Sequence, residues 1–269
     1  TAYDPADTQK VFALFDRMRF LGRAELLGVY SEYAVDRVRE GKASQEDLVS
    51  MVDGLEERFN RERLAGYETD ARFDMYQLNL YLNSGRLNPE YYEKVIPLTT
   101  ASLPLSPTRP QFYYIRGRAF MNLERYEEGL QDFRHAVTLA PDIPDANSNL
   151  FAAYATMGDI ESARAQLEKL RTLLVFDTQT YARFASIYVA SGLYDEAIVL
   201  LQQALIELPS HAVELQVGLA EVYAAAGDNA KAREAMERAV SLDAGAASYA
   251  EEFYRRLDAG GLRRSRQIF

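Results

Sequence analysis

Cysteine and tryptophan are both absent from the 269 residues, and histidine occurs only at His135 and His211. A chain without cysteine forms no disulfide, no thiolate nucleophile and no cysteine-based zinc site. The two histidines are 76 residues apart and form no recognisable metal site or catalytic triad. The sequence therefore predicts no metal and no cofactor, and it favours surface positions for both histidines.

Long apolar runs are also missing. The longest stretch without a charge covers about residues 95–108 and contains three prolines, whereas a helix that crosses a bilayer needs about 20 apolar residues. No signal peptide is recognisable at the start of the chain. We expect no direct membrane insertion by this sequence. Because it opens on Thr1 instead of Met, we expect a fragment or a processed product, with any anchor or targeting signal outside it.

Basic residues are outnumbered, with 30 Lys and Arg against 40 Asp and Glu, for a net charge of −10. Proteins that bind duplex nucleic acid usually carry the opposite balance, because they neutralise phosphates. Phosphate-binding glycine motifs do not occur. Acidic pairs such as Glu127-Glu128 are neighbours on a helix and do not face each other as an acid–base pair would. These observations exclude nucleic acid as a partner and favour a non-enzymatic protein.

What the sequence does contain is a repeat of about 34 residues. An aromatic column consists of Phe120, Tyr154, Tyr188 and Tyr223, which are 34, 34 and 35 residues apart. Three further columns keep this spacing: Glu124, Gly158, Gly192 and Gly227; Gly129, Ala163, Ala197 and Ala232; and Phe133, Leu167, Leu201 and Met236. A period of this length is typical of stacked helical hairpins.

Within each period the residue types predict two antiparallel helices. A small residue three positions before the aromatic, such as Gly117, lies on the same helix face and lets the two helices approach closely. The column glycines suit the left-handed backbone at the end of the first helix. Acidic residues then face the positive end of the second helix, and Pro141 and Pro209 end that helix.

These residues resemble the tetratricopeptide repeat, well over residues 110–141, 178–209 and 213–244, and less well over 144–176. In that weaker repeat Phe151 and Leu170 stand where a small residue is usual, and Val175 replaces the terminal proline. The resemblance implies an all-α fold, an α-solenoid of antiparallel helical hairpins. We predict four repeats over 110–245, a capping helix over 246–258 and a basic, flexible tail over 259–269.

The first hundred residues are helical in pattern but less regular. We predict irregular helical hairpins over 1–66, with apolar residues at Val11, Leu14, Phe15 and Met18, a helix over 24–39, and another that begins at the Ser44 cap and ends near Leu64. Residues 67–109 are predicted to form a degenerate hairpin with helices over 67–83 and 89–102, the second kinked by Pro97. No linker composition is present, so we expect one continuous solenoid.

A second, more limited resemblance concerns the N-terminal part. Gly22, Arg23 and Glu25, followed by Leu105, Ser106, Pro107, Arg109 and Gln111, are similar to the C-terminal region of bacterial O-antigen ligase/polymerase-like membrane proteins. In that family, tetratricopeptide repeats follow a multi-pass membrane part on the outer side of the cytoplasmic membrane. This resemblance implies an extracytoplasmic, periplasmic location and a role in cell-envelope polysaccharide assembly. Without it, we expect a cytoplasmic protein.

The first helix of each hairpin lines the concave groove of the tetratricopeptide family, which implies that a protein or peptide segment binds there. The candidate groove residues are Gln111, Tyr114, Arg118, Asn149, Gln179, Arg183, Ser186 and Glu221. One branch of the family binds a peptide carboxylate with five Lys, Asn and Arg side chains. Asn149 and Arg183 match two of these, but the lysines are missing. We therefore expect at most a weaker anion contact by Arg118, Asn149 and Arg183, with ordinary polar groove residues as the alternative.

Three functions remain open from the sequence. The first is a general peptide-binding repeat scaffold, an intracellular adaptor. The second is the same scaffold as the extracytoplasmic part of a membrane protein of the family above. The third is a sugar-active enzyme with an unrecognised cleft in the N-terminal part, in which folding would bring two carboxylates together. Tyrosine pairs among the 18 tyrosines, Tyr91-Tyr92 and Tyr113-Tyr114, also suggest stacking on sugars, although we expect most tyrosines to pack between helices. The oligomeric state stays open.

Overall fold

The computed structural model describes residues 9–10, 12–13, 16, 23–41, 43–67 and 71–260. The predicted helix with Val11, Leu14, Phe15 and Met18, and nearly all of the predicted tail, lie outside the described residues. Across the described ranges the regular structure is helical throughout, with no β-strand. The fold is all-α, as predicted. By contacts the chain divides into two compact units, unit 1 (Thr1–Pro141) and unit 2 (Asp142–Phe269).

Unit 1 contains six described α-helices. They are α1 (Arg23–Glu40), α2 (Gln45–Glu62), α3 (Ala71–Ser84), α4 (Glu90–Ser102), α5 (Pro110–Asn122) and α6 (Tyr126–Leu139). Helix α1 packs against both α2 and α3, and α3, α4 and α5 each pack against the next helix along the chain. The helix predicted over 67–83 begins at Ala71, because Tyr67 belongs to a π-helical turn in which Gly66 has a φ of 114°. Pro97 lies inside α4.

Helix α2 shows how the sequence sets one of these elements. The Ser44 side chain accepts a hydrogen bond from the Asp47 backbone N–H (3.1 Å) and its hydroxyl donates to the Asp47 carboxylate (2.7 Å). This pair satisfies a free donor at the helix start, as the predicted cap requires. The buried apolar residues then recur at helical spacing on one face: Leu48, Met51, Val52, Leu55 and Phe59.

Unit 2 contains three helical hairpins and a final helix. The hairpins pair α7 (Pro144–Met157) with α8 (Ile160–Leu173), α9 (Thr178–Ala190) with α10 (Tyr194–Glu207), and α11 (Ala212–Ala226) with α12 (Asn229–Leu242); α13 (Ala247–Asp258) follows. The first helices contact one another in the order α7, α9, α11, so they form one layer. Helix α13 packs against α12 with Ala250, Phe253 and Leu257 buried.

The predicted helix ends are confirmed. Gly158, Gly192 and Gly227 have φ values of 75°, 77° and 85°, in the left-handed region that glycine adopts without a steric penalty. Glu124 occupies the same column and has a φ of 59°, the only positive value on a described residue other than glycine. A side chain in this conformation costs about 1–2 kcal/mol, so the first repeat ends its first helix under strain.

Replacing Glu124 by glycine should therefore raise the free energy of unfolding of unit 1 by about 0.5–1 kcal/mol, since relief of strain exceeds the entropy that glycine adds to the unfolded chain. Urea denaturation followed by circular dichroism measures this change. The matched control is Gly158→Ala, which introduces the same strain in unit 2 and should destabilise by a similar amount. An unchanged or lower stability for Glu124→Gly would contradict the strain.

Candidate functional site

The eight predicted groove residues lie on first helices, as the repeat implies, but in both compact units. Gln111, Tyr114 and Arg118 belong to α5 of unit 1, and all three are half-buried. The other five belong to unit 2: Asn149 on α7, Gln179, Arg183 and Ser186 on α9, and Glu221 on α11. Each unit is therefore considered separately.

In unit 2 the layer of first helices contains a pocket of about 230 Å³ between α9 and α11, which we call the α9–α11 pocket. Its apolar lining consists of Ala182, Ala185, Val189, Leu201, Leu215, Val222 and Ala225. Its polar lining consists of Thr178, Ser186, Glu214, Glu221 and Arg256. A pocket with an apolar floor and a few polar groups is the usual form of a site that holds a side chain of a ligand.

Glycine at position 218 keeps the α9–α11 pocket open. Gly218 lies in the interior of α11 and lines the pocket. A Cβ added there would meet Leu201 Cδ1 at 3.6 Å, which is ordinary van der Waals contact, so nothing in the packing demands glycine at this position. Glycine inside a helix costs about 0.5–1 kcal/mol relative to alanine, and its main effect here is to leave the pocket open.

The charged groups of the pocket differ in their partners. Glu221 accepts a hydrogen bond from the Tyr249 hydroxyl (2.6 Å), which comes from α13. Glu214 is exposed on α11, and Arg256 is half-buried on α13. The two carboxylates and one guanidinium leave this lining with one net negative charge beside its apolar surface.

Two of the eight predicted groove residues, Ser186 and Glu221, line this pocket. Arg256 was missed, because α13 was interpreted only as a cap and no repeat column marks its position. The signal for Gly218 was present, since an isolated glycine inside a helical pattern often has a packing or functional reason.

Asn149 and Arg183 are not among the residues that line this pocket. The Asn149 amide donates to the Asp145 carbonyl of its own helix (2.8 Å), and the Arg183 guanidinium lies over the Phe184 ring at 4.7 Å. Gln179 is exposed on the first turn of α9. The expected anion contact by Asn149 and Arg183 therefore stays a prediction.

In unit 1, Arg118 is half-buried on α5. Burial lowers the pKa of Arg118 below its ordinary value, the charges of Arg39 and Arg86 act in the same direction, and the hydroxyls of Tyr92 and Tyr114 oppose them. The protonated guanidinium is thus less favourable here than in water.

Buried carboxylates in unit 1 are held by arginines. Asp74 accepts from Arg63 (2.6 Å) and from the Ser102 hydroxyl (2.6 Å). Asp132 accepts two parallel bonds from Arg116, at 2.8 Å each. The oxygens of both carboxylates are already held by these donors, and the contacts tie neighbouring helices together. Each of these two groups therefore has a structural role.

The tyrosine pairs are mostly packed. Tyr91 and Tyr92 are buried, and the Tyr91 hydroxyl donates to Asp53 (2.6 Å) while its ring stacks on Tyr81 with centroids 6.1 Å apart. Tyr113 packs its ring on His135 at 4.2 Å. Sugar stacking requires an exposed aromatic face, so the pair Tyr91-Tyr92 does not fit that hypothesis.

Two further observations concern the described residues. His, Asp and Glu side chains do not gather there in groups of three that would hold a metal ion. No helix in the described ranges combines the length and the apolar character needed to cross a membrane.

Comparison with known proteins identifies the repeats. The tetratricopeptide repeat family matches residues 110–143 and, through a second model of that repeat, residues 188–254. Human anaphase-promoting complex subunit 7 is 26% identical over 121 residues, and the mouse protein gives the same figures. This match covers 45% of the chain and only 21% of the length of subunit 7.

Solved structures of repeat proteins are similar to this chain. A tetratricopeptide repeat protein from Parabacteroides merdae ATCC 43184 has a TM-score of 0.50 at 17% identity, over 87% of this chain and 93% of that one. A thermophilic TPR protein of Thermus thermophilus has a TM-score of 0.44 at 19% identity, over 70% of this chain and 98% of that one. With its recurring columns, left-handed helix ends and matched segments, this chain contains tetratricopeptide repeats within residues 110–143 and 188–254, and its fold is the α-solenoid of stacked helical hairpins.

Proposed function

We propose that the chain is a non-enzymatic scaffold that holds a peptide segment of a partner protein in the α9–α11 pocket. The pocket itself carries the proposal, because its volume of about 230 Å³ accommodates one or two aliphatic side chains and its floor is apolar. The free Glu214 carboxylate and Glu221 stand at its edge. The peptide that fits has an aliphatic residue next to a lysine or arginine.

Selection from a random nonapeptide library on the intact protein tests this chemistry. Enriched peptides should share an aliphatic residue with a basic residue one or two positions away. The affinity of one enriched, fluorescently labelled peptide is then measured by polarisation. Peptides that share only acidic or only aromatic residues would contradict the proposed occupant.

Filling the pocket is the decisive substitution. Gly218→Leu should lower the affinity for the enriched peptide by at least about tenfold. A Cβ at this position has only an ordinary contact at 3.6 Å, so the added carbons extend into the pocket. The fold should be retained, because leucine is a good helix former. The matched control is Ala165→Leu, at an exposed position of α8 outside the pocket. Equal affinity of both variants would place the peptide elsewhere.

The contribution of the Glu214 carboxylate to peptide binding is tested separately. Glu214→Gln should lower the affinity for the peptide several-fold and reduce the salt dependence of binding, since a charge–charge contact is lost. Glu161→Gln removes an exposed carboxylate of α8 that does not line the pocket and should leave the affinity unchanged. If both variants bind alike, the basic residue of the peptide does not contact Glu214.

The setting in an O-antigen ligase/polymerase-like membrane protein is a separate proposal. It is supported by the similar residues near Gly22 and Leu105 and by the tetratricopeptide repeats that follow them. The coding sequence upstream of Thr1 tests it directly. A series of hydrophobic spans there would support an extracytoplasmic scaffold, whereas their absence would favour an intracellular adaptor.

A further inference from the structure

Arg256 lines the α9–α11 pocket from outside the repeated hairpins. It belongs to α13, whereas the other lining residues belong to α9, α10 and α11. Within the described ranges the half-buried Arg256 side chain makes no hydrogen bond, ion pair or ring contact. The N–H donors of its guanidinium are therefore available to a ligand in the pocket.

The other cations of unit 2 are already engaged. The adjacent Arg255 donates to the Glu252 carboxylate through Nε (3.0 Å) and Nη2 (2.5 Å), and Arg183 lies over the Phe184 ring. The remaining lysines and arginines that the structure describes in unit 2 each form an ion pair: Arg164, Lys169, Arg171, Lys231, Arg233 and Arg238. Arg256 differs from all of these residues because it has no protein partner and lines the pocket.

Contacts on both sides of Arg256 in the sequence hold α13 in place. Before it, the Tyr249 hydroxyl donates to the Glu221 carboxylate of α11 (2.6 Å). After it, Leu257 is buried, and the Asp258 carboxylate accepts a hydrogen bond from Arg233 of α12. The backbone of Arg256 is thus fixed relative to α11 before a ligand arrives, which lowers the entropic cost of binding.

Two opposite charges line the pocket without neutralising each other. Glu214 and Arg256 are both lining residues, yet within the described part of the chain they form no ion pair with each other or with another residue. A partly desolvated charge without a counter-charge is unfavourable. A ligand that brings both a basic and an acidic group satisfies both residues at once.

We propose that Arg256 binds an acidic side chain of the partner peptide and so makes α13 one wall of the binding site. This inference rests on the proposed function, because it concerns the same pocket. The apolar floor takes the aliphatic side chain, Glu214 takes the basic one, and Arg256 takes the carboxylate of an aspartate or glutamate. One guanidinium matches one carboxylate through two parallel hydrogen bonds, whereas a dianion would be repelled more strongly by the glutamates in the lining.

The enriched peptides should show this preference directly. Selection on the intact protein uses peptides capped as amides, so that only side chains supply carboxylates. An acidic residue should recur near the aliphatic one, in the same order relative to the basic residue in every peptide, because Glu214 and Arg256 lie on different helices. Enriched peptides without an acidic residue would overturn the proposal.

A charge exchange between Arg256 and the peptide tests the contact itself. Changing the acidic residue of the labelled peptide to its amide should lower the affinity of the wild type about tenfold, the loss expected for one charge-assisted contact. Arg256→Gln should bind both peptides alike, and Arg256→Glu should prefer a peptide with lysine at that place. Arg255→Gln is the matched control: this neighbour does not line the pocket, and the variant should discriminate as the wild type does.

The Gly218→Leu variant separates this inference from the proposed function. Peptides that bind Gly218→Leu as tightly as the wild type occupy another site, which would overturn the proposed function and the role of Arg256 together. Peptides that respond to Gly218→Leu, but whose preference for the acidic residue survives in Arg256→Gln, would overturn the role of Arg256 alone. Circular dichroism of each variant confirms that the helical fold is retained.

Discussion

Replacing Phe151 by alanine should lower the free energy of unfolding of unit 2 by about 3–5 kcal/mol. The residue is fully buried. Its ring meets Phe184 and Tyr188 edge-on, with centroids 5.2 Å and 5.1 Å apart, and such pairs add about 0.5–1.5 kcal/mol each to the effect of burial. The substitution introduces the small residue that is usual in this column, yet the surroundings in this protein are built around a phenyl ring.

Urea denaturation of the whole chain measures this loss, and hydrogen exchange identifies the segment that opens. Protection should fall across α7 to α10 while that of unit 1 is unchanged. Phe151→Leu is the graded control, since it retains much of the apolar volume and should cost distinctly less. A change below about 1 kcal/mol for Phe151→Ala would mean that the neighbours close around the smaller side chain.

Enlarging the small residue at the corresponding position of the preceding repeat should also destabilise the fold. Gly117 occupies the same column, and a Cβ there would lie 2.7 Å from Phe133 Cε1 and 3.1 Å from the Gly129 carbonyl oxygen. Phe133 is fully buried, so its ring has little room to move. We expect Gly117→Ala to cost about 1–3 kcal/mol by overpacking, although alanine is the better helix former.

A second glycine to alanine change provides the control for this prediction. Gly218→Ala also lies inside a helix, but its Cβ has only an ordinary contact at 3.6 Å, so it should stabilise by about 0.5–1 kcal/mol. The double variant Gly117→Ala/Phe133→Leu should recover part of the loss, because the two residues share one space. Stabilisation by both alanine variants, in urea titrations, would show that the α5–α6 contact is looser than described.

The residues at these two positions explain why residues 144–176 match the repeat pattern less well. The first repeat combines Gly117 with Phe133, and the second combines Phe151 with Leu167 at the corresponding positions. The large side chain has moved from the second helix to the first, while the buried space is filled in both cases. Such volume exchange is tolerated well in protein cores. Departure from the family pattern at Phe151 is therefore a repacking and not a defect.

The sequence by itself determined the fold class and the helix pairs. The residue types at positions such as Tyr188 and Gly192 depend on contacts within one hairpin. Their recurrence with a period of about 34 therefore indicates the helical hairpin directly. The left-handed ends were predictable for the same reason, because the preference of glycine for that conformation is local. At the N-terminal end of its predicted range of 67–83, α3 is described from Ala71, and Tyr67 belongs to a π-helical turn that has no periodic signal in the sequence.

Only the tertiary structure decided which residues share a site. Arg256 joins Glu214 at one pocket although the two residues are 42 positions apart in the sequence. No repeat column links such residues, because they belong to different hairpins or to helices outside the repeats. Helix propensity and hydrophobic period act over a few turns, whereas a binding site depends on how whole helices pack, which is set by the volumes of buried side chains.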